Sequence, residues 1–381
     1  TNKHTNMRFT VSSTALNQRL QNIRGAISGK NSLSILDCFL FEFNGKMLTL
    51  TAADSDNRIV TSFEVSEIDV DAARICINAK TILDTLKELA DQPLTFEVDV
   101  DRNTVNGKYS NGEFNITCQP ANDYPMPAAI EGDRQVLTMP CSALLNGINR
   151  CASCTKDDEI RPVMNGIFID AKPEQTTFVA TDGHKLMRST TPKAITEAEH
   201  SVILHKKVAA LVRSILVKDE GDVVISSTGS MVEIKTAEYF LTGKLIEGRY
   251  PNYNAVIPND NPYKIVIDRQ SLLSAAKRVT LFSSQSSSLV KLRFEAGMCT
   301  MSGQDYEFAT SAEEHVVCQY DGPAAMIGFK GNLLTEMLSL TDSQEVRLEI
   351  ADPSKPGLII PLDSPNDEQV LMLLMPMMVK D

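Results

Sequence analysis

Apolar and polar residues alternate along Arg8-Phe-Thr-Val, and the alternation then gives way to apolar residues three and four apart at Leu16, Leu20, Ile23 and Ile27. A period near two predicts a half-buried strand, and a period near 3.6 an amphipathic helix. The same switch recurs at Gln135-Val-Leu-Thr-Met followed by Leu144, Leu145 and Ile148, and at Tyr263-Lys-Ile-Val-Ile followed by Leu272, Leu273 and Ala276. The three starts, 8, 135 and 263, lie 127 and 128 residues apart. Halfway through each unit the strand and helix pattern returns, over 73–89, 201–217 and 326–340. The chain therefore reads as three repeats, each built of two similar halves.

Two further markers keep this period. An acid follows small residues in Thr51-Ala-Ala-Asp54, Ala180-Thr-Asp182-Gly183 and Ser302-Gly-Gln-Asp305, and a proline turn ends each repeat at Pro125, Pro251 and Pro376. After each helix come alternating segments separated by Gly, Asn and Ser turns, such as Thr95-Phe-Glu-Val-Asp and Glu113-Phe-Asn-Ile-Thr. Each half is then β-α-β-β-β, and the doubled unit predicts an α+β fold with helices on one side and antiparallel sheets on the other. The expected domains are 7–128, 134–256 and 257–381. Met7 heads the first strand, so residues 1–6 are set aside as an extension.

With 381 residues, 43% hydrophobic and 23% charged, the composition is globular and excludes disordered, collagenous and low-complexity classes. A net charge of −12 argues on its face against binding a polyanion. The charge is unevenly placed, however. Over the six helical windows (12–28, 79–90, 141–154, 205–217, 269–284 and 330–340) twelve Lys and Arg face three acids, which gives +9 there and −21 elsewhere. One face of each helix must be apolar, so the basic residues fall on the other. If those faces line one surface, it attracts a polyanion to one place while the rest of the protein repels it.

Candidate chemistry is thin. The eight cysteines show no disulfide framework, and Cys151 and Cys154 form a lone Cys-x-x-Cys without a second pair or a nearby His, read as ordinary thiols. No phosphate-cradling Gly-rich loop occurs, so an ATP-driven activity is unsupported. Asp182 and His184 adjoin, but the sister turns at Asp54 and Asp305 have no His, so the acid is read as a turn-former rather than a catalyst. No cofactor or metal is expected. No stretch has the length and apolarity of a membrane span, and the N-terminus lacks a signal-peptide core, so a cytoplasmic protein with reduced thiols is expected.

The threefold doubled unit, the run Ala180-Thr181-Asp182-Gly183-His184-Lys185-Leu186, the turn Tyr250-Pro251-Asn252-Tyr253 and the ending Met375-Pro376-Met377 resemble the bacterial DNA polymerase III beta subunit family, the replicative sliding clamps. The resemblance covers essentially Met7 to Val379. It implies three clamp domains per chain, two chains closed head to tail into a ring, helices lining the hole, sheets outside, and double-stranded DNA within. It implies a non-catalytic processivity factor whose partners are the polymerase III catalytic subunit, a separate clamp loader, and other polymerases and repair proteins carrying short clamp-binding peptides.

On that resemblance the DNA-facing residues are Arg24, Lys30, Lys80, Arg150, Lys206, Lys207, Arg213, Lys277 and Arg278. The peptide pocket maps to Met164, Thr181, Gly183, His184, Lys185, Leu186, Pro251, Ala255, Val256, Leu333, Leu373, Leu374, Met375, Pro376, Met377 and Met378. Unbranched Met and Leu suit varied peptide side chains. Lys185, Ala255 and Met378 stand where relatives commonly carry Arg, which implies a site less selective for charge. The homodimer interface maps to Phe114 and Leu281, for which core packing is the alternative. The alternative function is a repeat-built interaction scaffold that does not bind DNA.

Overall fold

The computed structural model describes residues 7–127, 130, 132–216 and 221–379. The first repeat runs β1 Met7–Ser12, α1 Ser13–Ile23, β2 Cys38–Asn44, β3 Met47–Ala53, β4 Arg58–Glu64, β5 Glu67–Ile68, β6 Ala72–Asn78, α2 Ala79–Leu86, β7 Pro93–Asp99, β8 Thr104–Tyr109 and β9 Gly112–Pro120. The second runs β10 Gln135–Pro140, α3 Cys141–Ala152, β11 Gly166–Lys172, β12 Gln175–Thr181, β13 Lys185–Thr191, β14 Ile195–Thr196, β15 His200–His205, α4 Lys206–Leu216, β16 Asp222–Ser227, β17 Met231–Lys235 and β18 Tyr239–Lys244. The third runs β19 Tyr263–Asp268, α5 Arg269–Thr280, β20 Leu289–Glu295, β21 Met298–Asp305, β22 Thr310–Gln319, β23 Ala325–Lys330, α6 Gly331–Leu338, β24 Glu345–Ile350, β25 Gly357–Pro361 and β26 Gln369–Leu374.

At α1, α2 and α5 the strand passes straight into its helix with a polar cap at the junction. Ser12 accepts from the Ala15 amide at 3.2 Å, Asn78 from Thr81 at 3.1 Å and Asp268 from Ser271 at 2.7 Å. Leu16, Leu20 and Ile23 of α1 are fully buried, one stripe of the helix, and each such side chain stabilises by about 1.5–3 kcal/mol. The helices end sooner than their apolar patterns predict. After Ile23 the chain tightens into a 3-10 turn at Arg24–Ala26, and α5 stops at Thr280 with Leu281 as its cap.

Two compact units form, and they do not follow the three repeats. One holds the described chain up to Leu145 together with Lys207–Leu245, and the other holds Asn146–Lys206 and the described chain from Ile246 onward. The middle repeat is shared between them because sheets run on across repeat boundaries. In the first unit β18 adds to β4, with Leu241 opposite Ile59. In the second, β26 adds to β13, with Met372 opposite Met187. At both junctions the third strand after a repeat's first helix pairs antiparallel with the last strand of the next repeat.

Candidate functional site

The three acidic turns share one construction. Asp54 Oδ1 accepts the amides of Asp56 and Asn57, Asp182 Oδ1 those of His184 and Lys185, and Asp305 Oδ1 those of Glu307 and Phe308, all within 2.7–3.2 Å. A short carboxylate satisfying two successive amides explains the acid in every repeat. Gly183 sits at φ +89°, the left-handed region that a side chain rarely adopts. Asp182 and His184 thus shape a turn.

Around this turn the second unit assembles an apolar site. Leu186 faces Leu373 across the β13–β26 pair, and both join a buried cluster with Val179, Ile203, Tyr250, Ile257, Leu358 and Leu371. Tyr250 stacks on Phe168 at 4.8 Å and 7°. The tail closes over one side: the Met375 amide donates to the His184 carbonyl at 2.9 Å, and the Met377 amide to the Gly328 carbonyl at 2.8 Å. A Cβ at Gly328 would lie 2.9 Å from the Met377 carbonyl oxygen and 2.7 Å from Val379, so only Gly admits the tail there. Of the residues expected to form the pocket, Leu186 and Leu373 lie in this cluster, Lys185 and Leu374 pair one position along the same strands and are buried on the opposite face, and Met164 is buried as well. Thr181, Leu333, Pro376 and Met377 are half-buried, while Gly183, His184, Pro251, Ala255, Val256, Met375 and Met378 are exposed at its rim. Leu358 and Ile360 of β25 also serve it and are invisible to motif reading, because only strand register brings them there.

Lys185 is no rim cation. Its ammonium, with the side chain 5% exposed, donates to Glu336 of α6 at 2.5 Å and lies 3.9 Å from Asp182. A peptide carboxylate finds it already neutralised. Two cavities lie elsewhere in this unit: 650 Å³ beside α5 and β22, and 610 Å³ between α3 and the segment 339–343.

The basic residues divide into two sets. Arg24, Lys30, Arg213 and Lys277 are exposed and make no ion pair with a described residue. The others are paired: Lys80 with Asp84 at 2.9 Å, Lys206 with Asp157, Lys207 with Asp54, and Arg278 with Glu314 at 2.7 Å. Arg150 departs furthest from the expected solvent-facing position. Its side chain, 13% exposed, donates to Ser189 Oγ at 2.9 Å and to Glu368 at 2.5 Å. Arg19 does the same at the other junction, donating to Thr61 Oγ1 at 2.9 Å and to Glu238 at 2.5 Å. Both arginines fasten a third strand to the acid preceding the next repeat's last strand. Helix windows counted alone miss these acids, so the +9 overstates the exposed positive charge.

All eight thiols are buried and free. Burial pushes Cys76 and Cys299 up to about 12, so they are inert nucleophiles. Among the described residues no cluster of three or more His, Cys, Asp or Glu is placed to hold a metal, and no helix is long and apolar enough to cross a membrane.

Tandem repeats joined by shared sheets, with a tail-sutured apolar site, define a scaffold of the sliding-clamp class. Known proteins give the same reading. The N-terminal, central and C-terminal domain models of the DNA polymerase III beta subunit match residues 7–128, 138–252 and 254–378. The beta sliding clamp of Caulobacter vibrioides is 28% identical over 381 residues, covering 98% of this chain and all of the relative, and that of Pseudomonas putida is 27% identical over 369, covering 96% and 99%. A sliding clamp from Pseudomonas aeruginosa, solved bound to griselimycin, superposes with a TM-score of 0.91 at 25% identity over 98% of this chain and 100% of that one. The chain belongs to the DNA polymerase III beta subunit family. Its function is that of a DNA sliding clamp, a non-catalytic processivity factor.

Proposed function

We propose that two copies of this chain close head to tail around duplex DNA, with three domains each over 7–128, 134–256 and 257–381. One observation carries this reading: two junctions of the repeat are occupied within the chain, and the corresponding edges of β9 and β22 are vacant. β9 pairs with β8 over 112–117 and β22 with β21 over 310–317, each without a second described partner strand there. Unpaired edges are natural pairing surfaces. Counting register from the first strand of each repeat, Phe114 stands where Leu241 stands, and Ala312 stands where Ile59 and Met187 stand. A second copy's β9 on β22 then sets Phe114 over Ala312, a large side chain against a small one. Leu281, 80% exposed, and Phe282 adjoin this edge.

Within the closed dimer, DNA phosphates are met chiefly by Arg24, Lys30, Arg213 and Lys277, few and exchangeable contacts that suit sliding. The paired Lys80, Lys206, Lys207 and Arg278 contribute less, and Arg150 acts as a junction staple. The site around Leu186, Leu373 and Met375 accepts short apolar peptides from the polymerase III catalytic subunit, the clamp loader, and other polymerases and repair proteins. The test is mass in solution: about 84 kDa, twice 41.9 kDa, at micromolar concentration. A species of 41.9 kDa there contradicts the reading.

A further inference from the structure

The hairpin joining β21 to β22 differs from its two sisters. Just ahead of the turn acid Ala53 faces Arg58 and Thr181 faces Leu186, whereas in the third hairpin the acid itself is paired, Asp305 facing Thr310, so the ladder runs one pair further before the tip at 306–309. That tip carries Tyr306 and Phe308, 82% and 70% exposed, and Ala309 is held at φ +53°. A non-glycine residue in that region costs free energy that the rest of the structure must hold in place. Two aromatics projected into water from a strained tip call for a partner.

The sister tips show where such a tip goes. Asp54 accepts the ammonium of Lys207, the second residue of α4, and Asp56 accepts Lys244 of β18, so the first tip docks on the helix and last strand of the next repeat's second half. The second tip docks on α6 through Lys185 and Glu336. Asp305 is 6% exposed and has no cation among the described residues. The position matching Lys207 at the vacant edge is fixed by register: β6 sets Asn78 opposite Cys38 and β15 sets His205 opposite Gly166, both at the start of the partner strand. Lys80 therefore matches Lys207, and it is 87% exposed at the head of α2.

We propose that the Tyr306–Phe308 tip is a dimer anchor that docks in the notch between α2 and β9 of a second copy, with the aromatics against the stems of Lys80 and Lys87 and Asp305 beside Lys80. This rests on the head-to-tail reading and adds to it an aromatic contact that the two intrachain junctions lack. Lysine stems bury well against aromatic faces, and the ammonium is attracted to the ring. The anchor is tested by sedimentation over a dilution series. Tyr306→Ala with Phe308→Ala should weaken the dimer at least about tenfold, as truncation of interface aromatics does. Lys80→Glu should also weaken it about tenfold, and Lys80→Arg should not. Both sites are on the surface, so unchanged melting of the dilute monomer checks the fold. A wild-type dimer that is indifferent within twofold to these changes overturns the anchor alone. A wild-type chain that is monomeric at micromolar concentration overturns the head-to-tail reading and the anchor with it.

Discussion

The β4–β18 and β13–β26 junctions are built on one plan, and only the second gathers the residues of the proposed peptide site. Both join a third strand to a last strand, and both are stapled by an arginine, Arg19 or Arg150, that reaches a hydroxyl and an acid. At the first, the lysine comes from the helix and the acid from the turn, and Ser214 Oγ donates to the Asn22 carbonyl at 2.8 Å to hold α4 on α1. At the second the polarity is reversed: Lys185 comes from the turn and Glu336 from the helix. The charge is thereby drawn beneath the surface, and the tail lays Met375 and Met377 beside it. A structural junction becomes a docking site when its ion pair is sunk below an apolar rim.

The staples separate the two most strongly. Glu368 is 2% exposed against Arg150 at 13%, whereas Glu238 is 51% exposed. Glu368→Gln should cost about 3 kcal/mol, because it leaves a buried guanidinium unpaired, and Glu238→Gln less than about 1 kcal/mol. Chemical denaturation of both variants measures the difference, and equal losses would mean that the junctions are energetically alike. Next in size, deleting 375–381 should weaken binding of the polymerase subunit's clamp-binding peptide about a hundredfold by titration calorimetry, while removing, among the described residues, two backbone hydrogen bonds of about 1 kcal/mol each. Undiminished peptide affinity would take the tail out of the site.

The smallest effect is pH-dependent. Burial pushes the Asp54 carboxyl up, but hydrogen bonds from Lys207 and from the Asp56 and Asn57 amides outweigh it and hold the pKa below the ordinary value. A depressed carboxyl stabilises above its unfolded pKa, about 3.9, and that contribution is lost as pH falls through the lower folded value. Lys207→Ala should therefore destabilise by about 1 kcal/mol at pH 7, with the gap from wild type shrinking below about pH 4. A gap independent of pH would show that the pair is not what the lysine contributes.

Much of this was legible in the chain because it is local. The strand-to-helix switches and the three acidic turns each lie within a few residues of what they contact, whereas the Met-Pro-Met ending was legible only through the resemblance, and its contacts at His184 and Gly328 are distant in sequence. What sequence did not reveal depends on register between distant strands. Arg19 meets Glu238 and Arg150 meets Glu368 across 219 and 218 residues, so a count of charge within helices assigned Arg150 to a solvent face it does not occupy. Leu358 entered the pocket for the same reason. The partner of each staple was nonetheless in view, as the acid immediately ahead of the last strand, Glu238 before Tyr239 and Glu368 before Gln369.

The head-to-tail enclosure of DNA is tested most directly by topology. The protein is loaded by its clamp loader and ATP onto nicked circular plasmid, isolated by gel filtration, and the plasmid is then cut once. The account predicts that the protein stays with the circle and is lost from the linear product. Retention after cutting, or failure to stay on the intact circle, would contradict it.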